Sequence, residues 1–395
     1  MAHHRSRFIL ALGMALAASF PSPAQTFRLL YTFTGGEDGG NPWDAPLLHD
    51  GMLYGTTWQG GINDYGVIYQ LDIHTGTETV LHTFQGGTAD GAKPDAGLAR
   101  DAAGNLYGVT DAAGAYNSGT AFQLQPSGNL ILSSFTGANG GGPQTTLVGD
   151  GHGNYYGGAY FFGPRDNGTL FKLDPAGTIT LLLAFNNVDG GGPKFGPLVL
   201  RDGDLYGTTF YGGKYNLGTL YRLNLASGKE TVLHSFSGPD GAYPVAGLTA
   251  DSAGNLYGTT TSGGAHEGSN CIGQAPGCGT VFKLANSDTL TTLYSFSGTG
   301  DGSGPQGAPS LDSQGTIYGT TNQGGTVVPQ ICEFGCATVF KIDTAGNFTT
   351  VYTFTNSADG LGMYAGVTIG SDGTLYGSTP GGGAFGNGTI FAIQP

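Results

Sequence analysis

A five-residue stretch, Leu53-Tyr54-Gly55-Thr56-Thr57, returns seven times along the chain, whole or as a near copy. Its tyrosine falls at Tyr54, Tyr107, Tyr156, Tyr206, Tyr257, Tyr318 and Tyr376, at steps of 49 to 61 residues. A period of that length belongs to arrays of one supersecondary unit, each copy burying its apolar face on the next. At 395 residues the chain exceeds the usual single domain, but an unbroken repeat argues for one body. The 75 glycines stand at fixed offsets beside Leu, Tyr, Phe and Val, so they punctuate a core-forming pattern rather than mark disorder.

Each repeat holds four short runs rich in β-branched and aromatic residues, bounded by Gly, Asp, Asn and Pro, and the runs read as strands a to d. In the first repeat they fall around Ala45 to His49, at Leu53 to Thr57, at Gly66 to Leu71 and at Thr79 to Phe84. The Phe closing strand d recurs as Phe33, Phe84, Phe135, Phe185, Phe236, Phe296 and Phe354. The strand c aromatic recurs as Tyr69, Phe122, Phe171, Tyr221, Phe282, Phe340 and Phe391. Both series count seven. The last repeat stops at Pro395 without a strand d, and Phe27 to Phe33 is a strand d without a repeat. Together they complete one unit, which joins the ends and removes the open faces of a linear solenoid. The expected fold is all-β: a seven-bladed β-propeller of four-stranded blades, closed by the N-terminal strand.

The units Asp251-Ser252-Ala253-Gly254-Asn255-Leu256-Tyr257-Gly258-Thr259-Thr260, Gly279-Thr280-Val281-Phe282-Lys283-Leu284 and Asp240-Gly241 with Pro244 resemble the GloVer tandem repeats of exported bacterial proteins. The resemblance spans essentially the whole chain after its first segment. It implies a propeller-like secreted or surface protein, and it brings no established catalytic activity. Members of that family often carry a C-terminal anchor, whereas this chain ends inside its last blade.

Residues 1–24 read as a signal peptide. His3, His4, Arg5 and Arg7 precede an apolar run from Phe8 to Phe20, and Ser22-Pro23-Ala24 supplies small residues for cleavage. That run is too short to span a bilayer. The propeller then occupies 25–395, in the periplasm or outside the cell, and a monomer is expected. Losing Arg5 and Arg7 takes the formal charge from −14 to −16, which argues against a nucleic-acid partner.

The recurring Asp-Gly-x-x-Pro, with Asp38, Asp90, Asp189, Asp240 and Asp301, reads as a turn in which Asp caps the backbone and Gly takes positive φ. Calcium on these carboxylates is the weaker alternative, and no other metal or cofactor is expected. His82 and His234 stand two residues before the closing Phe, where other repeats place Tyr, Ser or Leu, so packing is the expected role. Cys271 and Cys278 lie in the fifth b–c loop, Cys332 and Cys336 in the sixth. In an exported chain they read as disulfides. Local pairs would each contribute about 2 to 2.5 kcal/mol by loop closure, with cross-pairing and four-thiolate zinc as alternatives.

A residue present in every blade is structural, so a site must be built from departures. Alternating strand direction puts the b–c and d–a loops on one face. The b–c loops vary most, and from them come the candidate ligand-binding residues Trp58, Tyr65, Tyr116, Tyr160, Phe162, Arg165, Tyr211, Tyr215 and His266. Aromatic rings among polar groups suit the stacking faces of sugars. The leading expectation is a non-enzymatic protein binding an extracellular ligand such as a polysaccharide or other cell-surface group. A propeller glycan lyase or hydrolase is the alternative, and would need several of Asp64, Asp111, Arg165, Asp166, His266 and Glu267 to converge near the axis. A structural module without ligand is the third.

Overall fold

The computed structural model describes residues 26–266, 271, 275–355 and 357–395. The expected leader and Glu267 therefore lie outside the described residues. Seven antiparallel sheets follow one another, each in the order a-b-c-d, and no helix occurs among the described residues. The first blade comprises Leu47–His49, Met52–Thr57, Val67–Asp72 and Glu78–Thr83. Its b, c and d counterparts recur at every repeat, down to Leu375–Thr379 and Thr389–Gln394 in the seventh. There Thr26–Thr32 supplies the outer strand, antiparallel to Thr389–Gln394 with Phe27 opposite Ile393. The molecule is a closed seven-bladed β-propeller, as the repeat count and the two incomplete ends predict.

The repeated residues are accounted for by the joints between blades. In every joint the closing Phe of one blade packs on the strand c aromatic of the next, at 4.8–5.5 Å between ring centroids. All fourteen rings are buried. Tilted and edge-on ring pairs suit the aromatic quadrupole, and burying each side chain is worth about 1.5–3 kcal/mol. The glycine of Leu-Tyr-Gly exists because that same aromatic lies on its backbone. A Cβ at Gly258 would collide with the ring of Phe282, and one at Gly55 with Tyr69.

The two threonines of Leu-Tyr-Gly-Thr-Thr have separate tasks. Thr56, Thr208 and Thr259 donate to the carbonyls of Ala96, Ala246 and Gly307 in the following blade, at 2.8–3.1 Å. The second threonine pairs with the first of strand c, as in Thr209–Thr219 and Thr260–Thr280 at 2.8 Å. Both are buried, so each hydroxyl must find a partner.

The Asp-Gly-x-x-Pro segments are turns. Asp240 accepts from the Ser237 amide at 2.8 Å and Asp301 from that of Ser297 at 2.8 Å. His82 and His234 do pack edge-on against Phe84 and Phe236, but packing is half of their role. His82 bonds Asp90 at 3.3 Å and His234 bonds Asp240 at 2.7 Å. Tyr31, Tyr294 and Tyr352 do the same to Asp38, Asp301 and Asp359 with their hydroxyls. Residues with unlike acid-base chemistry thus share a hydrogen bond that ties strand d to the turn after it.

The disulfides pair locally, Cys271 with Cys278 and Cys332 with Cys336. No helix of the described residues is long and apolar enough to cross a membrane.

Candidate functional site at the axial mouth

Every d–a turn is bridged to the b–c loop on its own face. Gly40 pairs with Gln59, Gly91–Ala92 with Ala112–Ala113, Gly191 with Tyr211 and Ala242 with Ser262, and the pattern continues around the ring. Two loop sets expected on one face are therefore joined by backbone hydrogen bonds. The joint brings three positions of each repeat together at the axis: the residue after strand b, the residue before the turn proline and the residue after it.

The position after the proline, or after Met363 in the seventh blade, takes six different residue types in seven copies: Trp43, Asp95, Gln144, Lys194, Val245, Gln306 and Tyr364. Four of these, Trp43, Asp95, Gln306 and Tyr364, line an axial cavity of about 220 Å³ that takes residues from all seven blades. Trp43 and Tyr364 stack at 4.5 Å with planes 26° apart. Trp43 also meets Trp58 at 6.4 Å and Phe195, from the fourth blade, at 6.3 Å. Tyr160, Phe210 and Tyr243 continue the aromatic wall, Phe210 lying 6.5 Å from Tyr160 and 5.2 Å from Tyr243.

Charged and amide groups are set into this wall. The Lys93 ammonium lies 4.3 Å from the Trp58 ring centroid. That of Lys194 lies 4.6 Å from Phe195 and 5.2 Å from Tyr160. Gln144 donates through Nε2 to Asp111 at 3.2 Å. Burial, and then the charge of Asp111, pushes Asp95 well above the ordinary carboxylate range. Burial likewise raises Asp111 and lowers Lys194, with Asp95 and Asp111 opposing the drop in Lys194. Beneath them Asp44 accepts from Thr146 Oγ1 at 2.7 Å and from the Ala45 amide at 2.7 Å.

Two further features single out this end of the axis. Nine buried side-chain atoms lack a hydrogen-bond partner among the described residues, and four of them gather here: Asn41 Oδ1, Trp43 Nε1, Asp95 Oδ1 and Gln144 Oε1. Such atoms are costly unless something else satisfies them. The residue before the proline is also left-handed, with φ near 60°. Four repeats meet that demand with glycine, but Asn41, Lys93 and Tyr243 adopt it at φ 57°, 60° and 55°. A side chain there costs about 1–2 kcal/mol, and strain of this kind concentrates at functional sites.

Of the residues singled out from sequence, Trp58, Tyr160 and Tyr211 belong to this neighbourhood. The Tyr211 ring covers Gly191 and Gly192. Tyr65, Tyr116, Phe162 and Tyr215 are exposed on the b–c loops, Tyr116 at 63%. Arg165 and His266 are exposed there too, Arg165 donating to the Ala184 carbonyl at 3.3 Å. The described members of the ionisable set named for the enzyme alternative are not brought together. Asp64 caps its own loop through the Gly60 amide at 2.8 Å, Asp166 and His266 are exposed, and among the described members Asp111 alone reaches the mouth. No cluster of three or more metal-ligating side chains occurs among the described residues.

Sequence reading overlooked Trp43, Lys93, Asp95, Gln144, Lys194 and Tyr364. Their signal was available: in a frame where Asp, Gly and Pro recur, the positions flanking the proline carry a different residue in nearly every copy.

Such a ring, with its one asymmetric rim at the axis, defines the class: a seven-bladed β-propeller with a polar and aromatic axial mouth. The model of the Gloeobacter/Verrucomicrobia repeat matches residues 17–197, 129–272 and 267–395, and the chain belongs to that repeat family. No curated protein matches it. Among solved structures it is similar to a streptogramin B lyase, at 15% identity over 94% of this chain and 97% of the other, with a TM-score of 0.61. It is similar to virginiamycin B lyase from Staphylococcus aureus, at 13% identity over 94% and 99%, with a TM-score of 0.58. The GH74 enzyme of Niastella koreensis matches at 18% identity over 79% of this chain and 45% of its own, with a TM-score of 0.53. At these identities the likeness is one of fold.

Proposed function

We propose that the protein is an exported, monomeric binding module, its leader removed after Ala24, and that its axial mouth binds an extracellular polysaccharide. The observation that carries this reading is the aromatic wall built on the Trp43–Tyr364 stack, next to four buried polar atoms without partners. Sugars present apolar faces ringed by hydroxyls, so one unit can stack on Trp58 or Trp43 while its hydroxyls reach Asp95 and Gln144. Concave sites with a few convergent polar groups on apolar walls are the usual form of a ligand pocket. The disulfides accord with an oxidising compartment.

A binding screen of the mature chain against glycans tests this. Trp58→Ala is expected to weaken binding about tenfold or more, the worth of one stacked ring, while leaving the melting temperature nearly unchanged. A panel without binders sinks the reading. A second reading, cleavage of the bound glycan, draws support from two carboxyl groups at the same mouth, the buried Asp95 and the half-buried Asp111. Shortened or unsaturated products after long incubation would favour it, and a loss of those products in Asp111→Asn would assign the site.

A further inference from the structure

We infer that the sugar taken at the axial mouth carries a carboxylate, so that the ligand is a uronic-acid unit of an acidic polysaccharide held through the ammonium groups of Lys93 and Lys194. The inference rests on the glycan reading given above and specifies its substrate class.

The ammonium groups of Lys93 and Lys194 hold donors in reserve. Each carries three N–H donors. Neither makes an ion pair within 4.0 Å of a carboxylate among the described residues. What holds them instead is aromatic: Lys93 over Trp58 at 4.3 Å, and Lys194 over Phe195 at 4.6 Å. A ring face attracts a cation but does not cancel its charge. The arrangement therefore fixes two positive charges in place and leaves their donors available.

The surroundings make this unusual. The chain holds 14 Lys and Arg against 28 Asp and Glu, and two of those cations are set at the variable rim rather than on the outer blades. Lys93 pays for its place with a left-handed backbone at φ 60°, where four other repeats use glycine. Asp95 and Asp111 are close enough to support the charge of Lys194. A neutral sugar offers the ammonium donors only uncharged hydroxyl acceptors, whereas a ligand carboxylate accepts from them in charge-assisted hydrogen bonds, roughly twice as strong.

Calorimetric titration of the mature chain decides the matter. The probes are oligomers of galacturonate, glucuronate and alginate, the same oligomers with carboxyls reduced to alcohols, and a sulfated neutral glucan. At least one uronate oligomer is expected to bind about tenfold or more tighter than its reduced form. K93Q/K194Q should reduce that preference to below about twofold with an unchanged melting temperature. On the native chain, salt raised to about 0.5 M should weaken the acid far more than its reduced form, a readout that stands even if the double variant misfolds. Equal binding of acid and reduced oligomers overturns the inference, as does a preference that survives K93Q/K194Q. If neutral binding remains sensitive to Trp58→Ala in that case, the glycan reading stands alone. Lysine-dependent binding of the sulfated glucan in preference to every uronate overturns the carboxylate assignment, and no binding by any probe overturns both.

Discussion

Trp43 and Tyr364 come from opposite ends of the chain and stack at 4.5 Å across the joint between the first and seventh blades. That joint exists because Thr26–Thr32 pairs with Thr389–Gln394. Ring closure and the proposed site are thus one structural event. Deleting Thr26–Thr32 should expose the edge of Thr389–Gln394, lower the melting temperature and increase aggregation, since an unpaired edge strand recruits other chains. Scattering on heating, set beside the full mature chain, checks this. An unchanged melting temperature would mean that the strand is dispensable.

Lys93 sits at φ 60°, so glycine should suit its backbone better. Lys93→Gly is expected to raise stability by about 1 kcal/mol in urea unfolding while weakening acidic glycan binding. Opposite signs in the two measurements would mark a residue kept for its side chain. Lower stability would show that the Trp58 contact outweighs the backbone strain.

Gly258 has the ring of Phe282 lying over it, and no room for a methyl group. Gly258→Ala should cost about 1–3 kcal/mol, the usual penalty of overpacking a close-packed interior, as a shift of the urea midpoint. The open-turn change Gly228→Ala, where nothing lies within 4 Å, makes a comparison free of crowding, although its φ of 65° carries a left-handed strain of its own.

Glu78 begins the outer strand of the first blade, half-buried, with Oε1 lacking a partner. Burial, and then the charge of Asp38, pushes its carboxyl up to about 7 from an ordinary 4.5. Folding therefore favours the protonated form. Its contribution is complete below the unfolded-state pKa and is lost as pH rises through about 7. Glu78→Gln should flatten the fall in melting temperature across that interval and leave the variant the more stable of the two at pH above about 8. Parallel pH profiles for the two proteins would contradict this.

Blade number, strand order, ring closure and the turn role of Asp-Gly-x-x-Pro were legible in the sequence, because each is imposed on every copy by local chemistry. Phe236 must meet Phe282 and Gly258 must lie under that ring, and the same demand repeats seven times, so periodicity reports it. The exposed aromatics of the b–c loops were legible for the same reason, as departures from a frame. What the chain order could not convey is which departures meet. Trp43 and Tyr364 become neighbours only when the ring closes, Phe195 reaches Trp43 only across the axis, and Lys93 reaches Trp58 only through a left-handed turn. Tyr116 and Tyr215, equally aromatic, are carried outward on the same face. Distance from the axis is a property of the closed ring and of no single repeat, and so the tertiary structure alone decided where the mouth lies.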